Sequence, residues 1–133
     1  MIDFENEVYT EVRNAVKAEY PDILFTGNSA NAPSKFPAVA FRCTSNVVYN
    51  KSRDTDSNEN HCAVTFQTDV FSTKKDTPIS ECKKIMSIVD NKLLELGFSR
   101  NFYEQIPNID SSITRFTARH RAVFGKNGNI YRR

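Results

Sequence analysis

His61-Cys-Ala-Val-Thr-Phe-Gln-Thr-Asp-Val-Phe-Ser72, followed by Thr77-Pro-Ile-Ser-Glu-Cys-Lys-Lys-Ile-Met-Ser-Ile-Val-Asp-Asn-Lys-Leu-Leu-Glu-Leu-Gly97, decides the fold. In the first segment Cys62, Val64, Phe66, Thr68 and Val70 share one face, and Ala63, Thr65, Gln67, Asp69 and Phe71 share the other. A period of two with one mostly apolar face is the mark of a half-buried strand. In the second segment Ile79, Cys82, Met86, Val89, Leu93 and Leu96 recur at threes and fours, which is the stripe of an amphipathic helix. Thr77 suits the N-cap, Pro78 the first helical position and Gly97 the C-terminal stop. A long strand needs pairing partners, and a one-sided helix needs a sheet to lie on.

Upstream, residues 2–20 form a second amphipathic helix, with Phe4, Val8, Val12, Ala15 and Val16 as its apolar stripe and Pro21 beyond its end. Asp3 is its expected N-cap, and Glu5 and Glu7 favour the positive end of the helix dipole. Asp3, Glu5, Glu7, Glu11, Glu19 and Asp22 outnumber Arg13 and Lys17 here, so the solvent face is expected to be acidic. Ile23–Thr26 reads as a short strand. Ala38–Thr44 alternates as a longer one, and Val47–Tyr49 can extend it. Residues 45–60 are polar and charged, and the expectation is a mobile hairpin loop that orders on assembly.

Downstream, residues 98–106 alternate, with Phe98, Phe102 and Ile106 expected on the inner face. Residues 112–124 form a long strand. Phe116, Ala118, His120, Ala122 and Phe124 share one face, and Arg115, Arg119 and Arg121 share the other with Ile113, Thr117 and Val123. Ile130-Tyr131 adds a short final pairing. No acid occurs after Asp110, whereas six basic residues do, so the chain is acidic at its first helix and basic at its last long strand. The fold class is α+β: a mixed or antiparallel sheet with two amphipathic helices, 2–20 and 78–96, packed on it. At 133 residues it is one domain, residues 1–133, long enough to bury a core without staples.

The chemistry-bearing residues do not converge. Cys43, Cys62 and Cys82 fall at apolar positions and lack the close spacing of a zinc site or a disulfide framework. The expectation is buried free thiols in a reducing compartment. His61 and Cys62 are strand neighbours and point to opposite faces. Asp54-x-Asp56-x-Asn58 begins like a calcium loop, but Glu59 stands where glycine is needed and Thr65 where the bidentate glutamate is needed. The expectation is no enzyme, no metal and no cofactor. A net charge of +2 is too small to imply nucleic-acid binding by itself, and no apolar run is long enough to span a membrane.

Asp69-Val-Phe-Ser72, Glu81–Asp90, Leu96-Gly-Phe98, Ile106-Pro-Asn108 and Ile113–Val123 succeed one another in an order that resembles small tail proteins of phages and prophages of Gram-positive bacteria, the tail terminator (tail completion) family. The resemblance covers most of residues 2–133; residues 27–35 and 45–60 do not carry it. It implies a homohexameric ring, without active site or cofactor, that ends tail-tube polymerisation and presents a surface to the neck or connector. The partners it implies are further copies of the chain, the tail tube protein and neck proteins, with no membrane and no sequence-specific nucleic acid. The implied location is the virion tail, after synthesis in the host bacterial cytoplasm. Every contact in a ring is heterologous, so one surface must complement another. The interface expected on that basis joins the acidic face of the first helix, or the loop acids Asp54, Asp56 and Glu59, to Arg115, Arg119 and Arg121. The runner-up among structural proteins is a head-closure or other neck protein, and the rival from another class is a small basic nucleic-acid-binding domain using the same arginines with Arg132 and Arg133.

Overall fold

A computed structural model describes residues 4–27, 33, 35–48, 61–73, 76–107, 112–125 and 130–131. The elements are α1 (Glu5–Glu19), β1 (Leu24–Thr26), β2 (Ala38–Val48), β3 (His61–Ser72), α2 (Pro78–Glu95), β4 (Ser99–Ile106), β5 (Thr114–Gly125) and β6 (Ile130–Tyr131). The sheet runs β1-β2-β3-β5-β4, with β6 paired to β5. β1 lies parallel to β2 and the other pairs are antiparallel, so the sheet is mixed. The α+β class expected from the hydrophobic periods is the one observed. β3 pairs with β5 without a break from His61↔Gly125 to Ser72↔Thr114, which makes this pair the spine of the sheet.

Both helices lie on one side of the sheet. Val8, Val12 and Val16 of α1 and Cys82, Ile85, Met86, Val89 and Leu93 of α2 bury into one core with Val39, Phe41, Cys62, Val64, Phe66, Val70, Phe116, Ala118, Ala122 and Phe124. The abundance of phenylalanine has a structural use here. Phe41 stacks on Phe66 with ring centroids 4.8 Å apart, Phe66 meets Phe98 edge-on at 5.7 Å, and Phe98 meets Phe124 at 5.8 Å. Phe4, just ahead of α1, stacks on Phe124 at 5.3 Å. Offset and edge-on ring pairs add stability beyond the area they bury. This chain of rings ties the start of α1 and the end of α2 to three strands.

The helix ends differ from expectation in part. Thr77 occupies the N-cap of α2 but makes no side-chain cap bond. Its carbonyl accepts from the Glu81 N–H at 3.0 Å, while Ser72 Oγ donates to Glu81 Oε1 at 2.6 Å, so the first turn is tied to the end of β3. Ile79, expected in the buried stripe, is 44% exposed, and Ile85 is buried instead. The C-terminus is as expected. Gly97 takes φ 100°, Phe98 N–H donates to Leu93 O at 2.8 Å and Gly97 N–H to Leu94 O at 3.0 Å. That double bond pattern is the Schellman motif, and it turns Phe98 into the core. The expected cap of α1, Asp3, lies outside the described residues; Phe4 holds the N-cap position and has no side-chain cap bond.

Two bulges change what alternation alone predicts. A register shift between Arg100 and Phe102 moves Phe102 and Ile106 to the face away from the helices, contrary to expectation, and brings Tyr103 toward Phe116 at 5.7 Å. A second shift, between Cys43 and Ser45, lets β2 continue through Ser45–Val48 opposite Thr65–Cys62. The first four residues of the expected loop 45–60 are therefore strand, and the rest of it lies outside the described residues. An added residue in one strand of a pair reverses the facing of every residue beyond it, and sequence periodicity cannot register it.

Candidate functional site

The sheet face away from the helices is where the arginines meet. Direct pairing across β2, β3, β5 and β4 sets side chains in rows. One row is Ala40, Asp69, Thr117 and Glu104. The next is Arg42, Gln67, Arg119 and Phe102. The next is Ser45, Thr65, Arg121 and Ser99. At one end of the face Ala38, Ala40, Phe71 and Ile113 form a second small apolar cluster with Leu24 and Phe36. At the other end lie Ala63, Val123 and Val47, the last 55% exposed.

Arg115, Arg119 and Arg121 share this face as expected, but the structure separates their roles. Arg115 donates from Nε and Nη2 to Asp69 Oδ1 at 3.2 and 3.1 Å, and its guanidinium lies over the Phe71 ring at 5.5 Å. Asp69 is 1% exposed and also accepts from Thr117 Oγ1 and from Gln67 Nε2, the latter at 3.2 Å. Burying a carboxylate this deeply is costly unless it is paired and hydrogen-bonded in this way. Arg115 is thus internal structure. Arg119 is exposed; its Nε donates to Gln67 Oε1 at 3.2 Å and its guanidinium stacks over Phe102 at 4.8 Å. Gln67 therefore links Arg119 to the buried Asp69 and orients it. Arg121 is half-buried in the row beyond.

Arg42 completes this band and was not singled out from the sequence. Its Nε is buried and finds no hydrogen-bond partner among the described residues. The parity of Arg42 with Ala38 and Ala40 was legible, but its position opposite Gln67 depends on how β2 pairs. Gln67 and Phe102 were missed for the same reason. Asp54, Asp56 and Glu59, together with Arg132 and Arg133, lie outside the described residues.

A second polar cluster runs from the helix–sheet core out to its edge. His120, fully buried on β5, places Nε2 2.7 Å from Asp90 Oδ1 on α2, and Asp90 Oδ2 is 3.4 Å from Arg100 Nη1 on β4. Burial pushes the His120 pKa below its ordinary 6.5, with the bond and charge of Asp90 opposing the shift. The neutral ring then donates from Nε2 to the carboxylate. Its Nδ1, and Thr68 Oγ1 on the neighbouring strand, are buried without a partner among the described residues. The cluster cross-links α2, β4 and β5.

Cys43, Cys62 and Cys82 are all free thiols. Cys82 Sγ lies 3.8 Å from Val70 O and 3.7 Å from Thr114 O, and burial pushes its pKa up to about 12, far from the range of a reactive thiolate. Among the described residues no group of His, Cys, Asp or Glu side chains could hold a metal ion, and no helix is long and apolar enough to cross a membrane. No protein-family model matches this chain, and no curated protein matches it either.

Proposed function

We propose that the chain is a structural protein of a phage tail, a terminator that forms a ring at the head-proximal end of the tail tube, stops its growth and offers a surface to the neck. The observation that carries the reading is the order of the segments that resemble the terminator family. Four of these five segments lie within the described residues on one connected unit: Asp69–Ser72 closes β3, Glu81–Asp90 lies within α2, Leu96–Phe98 is its terminal turn, and Ile113–Val123 runs into and along β5; Ile106-Pro-Asn108 starts at the end of β4 and continues outside the described residues. The work is geometric rather than chemical. A two-layer domain with helices on one side and an arginine-bearing sheet face on the other has two unlike surfaces, which head-to-tail assembly requires.

The test is light scattering with negative-stain imaging of the purified protein, followed by its addition to purified tail tubes. Rings that cap the tubes are expected. A monomer at high concentration that leaves the tubes uncapped refutes the reading. A ring that binds the connector and ignores the tube identifies a head-closure or neck protein instead. The grouping of Arg42, Arg119 and Arg121 on one sheet face, with Arg119 exposed, favours one second reading, a nucleic-acid binder. That protein would bind DNA or RNA with an affinity falling steeply as salt rises.

A further inference from the structure

Arg42, Arg119 and Arg121 stand on two strands flanking and pairing with β3, in two neighbouring rows of one sheet face. With strands about 4.8 Å apart, Arg42 and Arg119 flank Gln67 at roughly 10 Å from each other. Neither of their two rows holds a carboxylate. Among the described residues the nearest acids on this face are Asp69, already engaged by Arg115, Thr117 and Gln67, and Glu104, one row away on the edge strand. Like charges held this close repel one another. Arg42 adds a buried Nε donor with no acceptor among the described residues. Among the described residues the band lacks a counter-charge, and a planar guanidinium matches a carboxylate best.

The opposite side of the molecule carries carboxylates. α1 and the turn after it expose Glu5, Glu7, Glu11, Glu19 and Asp22 against Arg13 and Lys17. They are not spread evenly. Helical geometry puts Glu7 and Glu11, four residues apart, on the flank toward α2, where Lys92 Nζ reaches Glu11 at 3.3 Å, and puts Arg13 and Lys17 on the other flank. The solvent face of α1 is therefore divided, and only one flank has the acidic character expected of the whole. The sheet separates this flank from the arginine band within one chain, so the two can meet only between chains. The exposed Val47 and the half-buried Phe102 beside the band fit a protein surface better than a phosphate backbone.

We propose that the Arg42–Arg119–Arg121 band is a docking surface for a second copy of this chain and receives the Glu7–Glu11 flank of its α1. The contact is heterologous, so it generates a ring when the rotation closes. It deepens the terminator reading and rests on it. It differs from the interface expected from sequence by including Arg42 and by leaving Arg115 to Asp69.

The test is a charge exchange. One variant carries Arg42→Glu with Arg119→Glu, and the other carries Glu7→Arg with Glu11→Arg. Each alone opposes like charges at every contact and is expected to weaken self-association by well over about tenfold. Mixed in equal amounts, every helix flank faces a sheet of opposite charge, and assembly returns as alternating rings of even number. Circular dichroism of each variant establishes folding. If either double variant fails to fold, Arg119→Glu and Glu11→Arg, both at exposed positions, replace them in the same mixture. Variants that assemble like the wild type, or folded variants whose mixture stays dissociated, overturn the docking surface and leave the tail reading standing. A wild-type protein that is monomeric throughout and leaves tail tubes uncapped overturns both.

Discussion

Replacing Arg115 with methionine removes the main partner of a carboxylate that is 1% exposed. Methionine keeps an unbranched stem over the Phe71 ring, where the guanidinium sits at 5.5 Å, so packing changes little and charge changes fully. Asp69 then keeps only Thr117 and Gln67 as side-chain donors among those described. Breaking a buried ion pair by removing one member costs about 3–5 kcal/mol. The side chain of Arg115 is 16% exposed and two donors remain, so the lower end applies, about 3 kcal/mol. With a urea m-value of about 2 kcal/mol/M, the unfolding midpoint drops by about 1.5 M. The assay is urea unfolding at one low protein concentration, because assembly adds a mass-action contribution. The decisive comparison is Asp69→Asn in both backgrounds. In the wild type it destabilises, by discarding a satisfied charge; in Arg115→Met it stabilises, by removing an unpaired one. A loss under about 1 kcal/mol in Arg115→Met, or the same sign for Asp69→Asn in both backgrounds, refutes the argument that Arg115 serves the core rather than the surface.

The geometry yields three further outcomes. Phe66→Ala removes the ring between Phe41 and Phe98 and is expected to cost about 3–5 kcal/mol, read as a fall in the urea midpoint at unchanged m. The folded pKa of His120 lies below its ordinary 6.5, so the unfolded chain binds more protons in that window. Stability is therefore level above pH 6.5 and falls as the pH drops from 6.5 through the folded value; unfolding curves across this range should show the fall in the wild type and less of it in His120→Gln. Cys82, buried with a thiol pushed up to about 12, should resist iodoacetamide in the native protein and react once unfolded, with mass spectrometry locating the label; rapid native labelling at Cys82 would contradict the packing.

The arginine face shows how much of a surface a sequence exposes. Arg115, Arg119 and Arg121 were readable as one stripe because they lie two and four apart on one strand, and alternation needs no knowledge of neighbours. The difference between them was not readable. Arg115 reaches Asp69 and Arg119 faces Gln67 only because β3 and β5 pair in one register over twelve positions, between residues more than forty apart in the chain. Asp69 itself gave no local sign that it would be buried on the side without helices.

Local physics settled the elements from the sequence alone. The period-two run 61–72, the stripe of 78–95 and the glycine at position 97 each express a preference that neighbouring residues satisfy among themselves. They were enough for the α+β class and for the division of the long strands into an inward and an outward face. Only the tertiary structure decided the strand order, the bulges at 43–45 and 100–102 that turned Phe102 outward, the burial of Asp69 and the entry of Arg42 beside Arg119. Each of these is set by which backbone hydrogen bonds form between distant segments. That choice is made by the summed packing of the whole core, and no single stretch of the chain contains it.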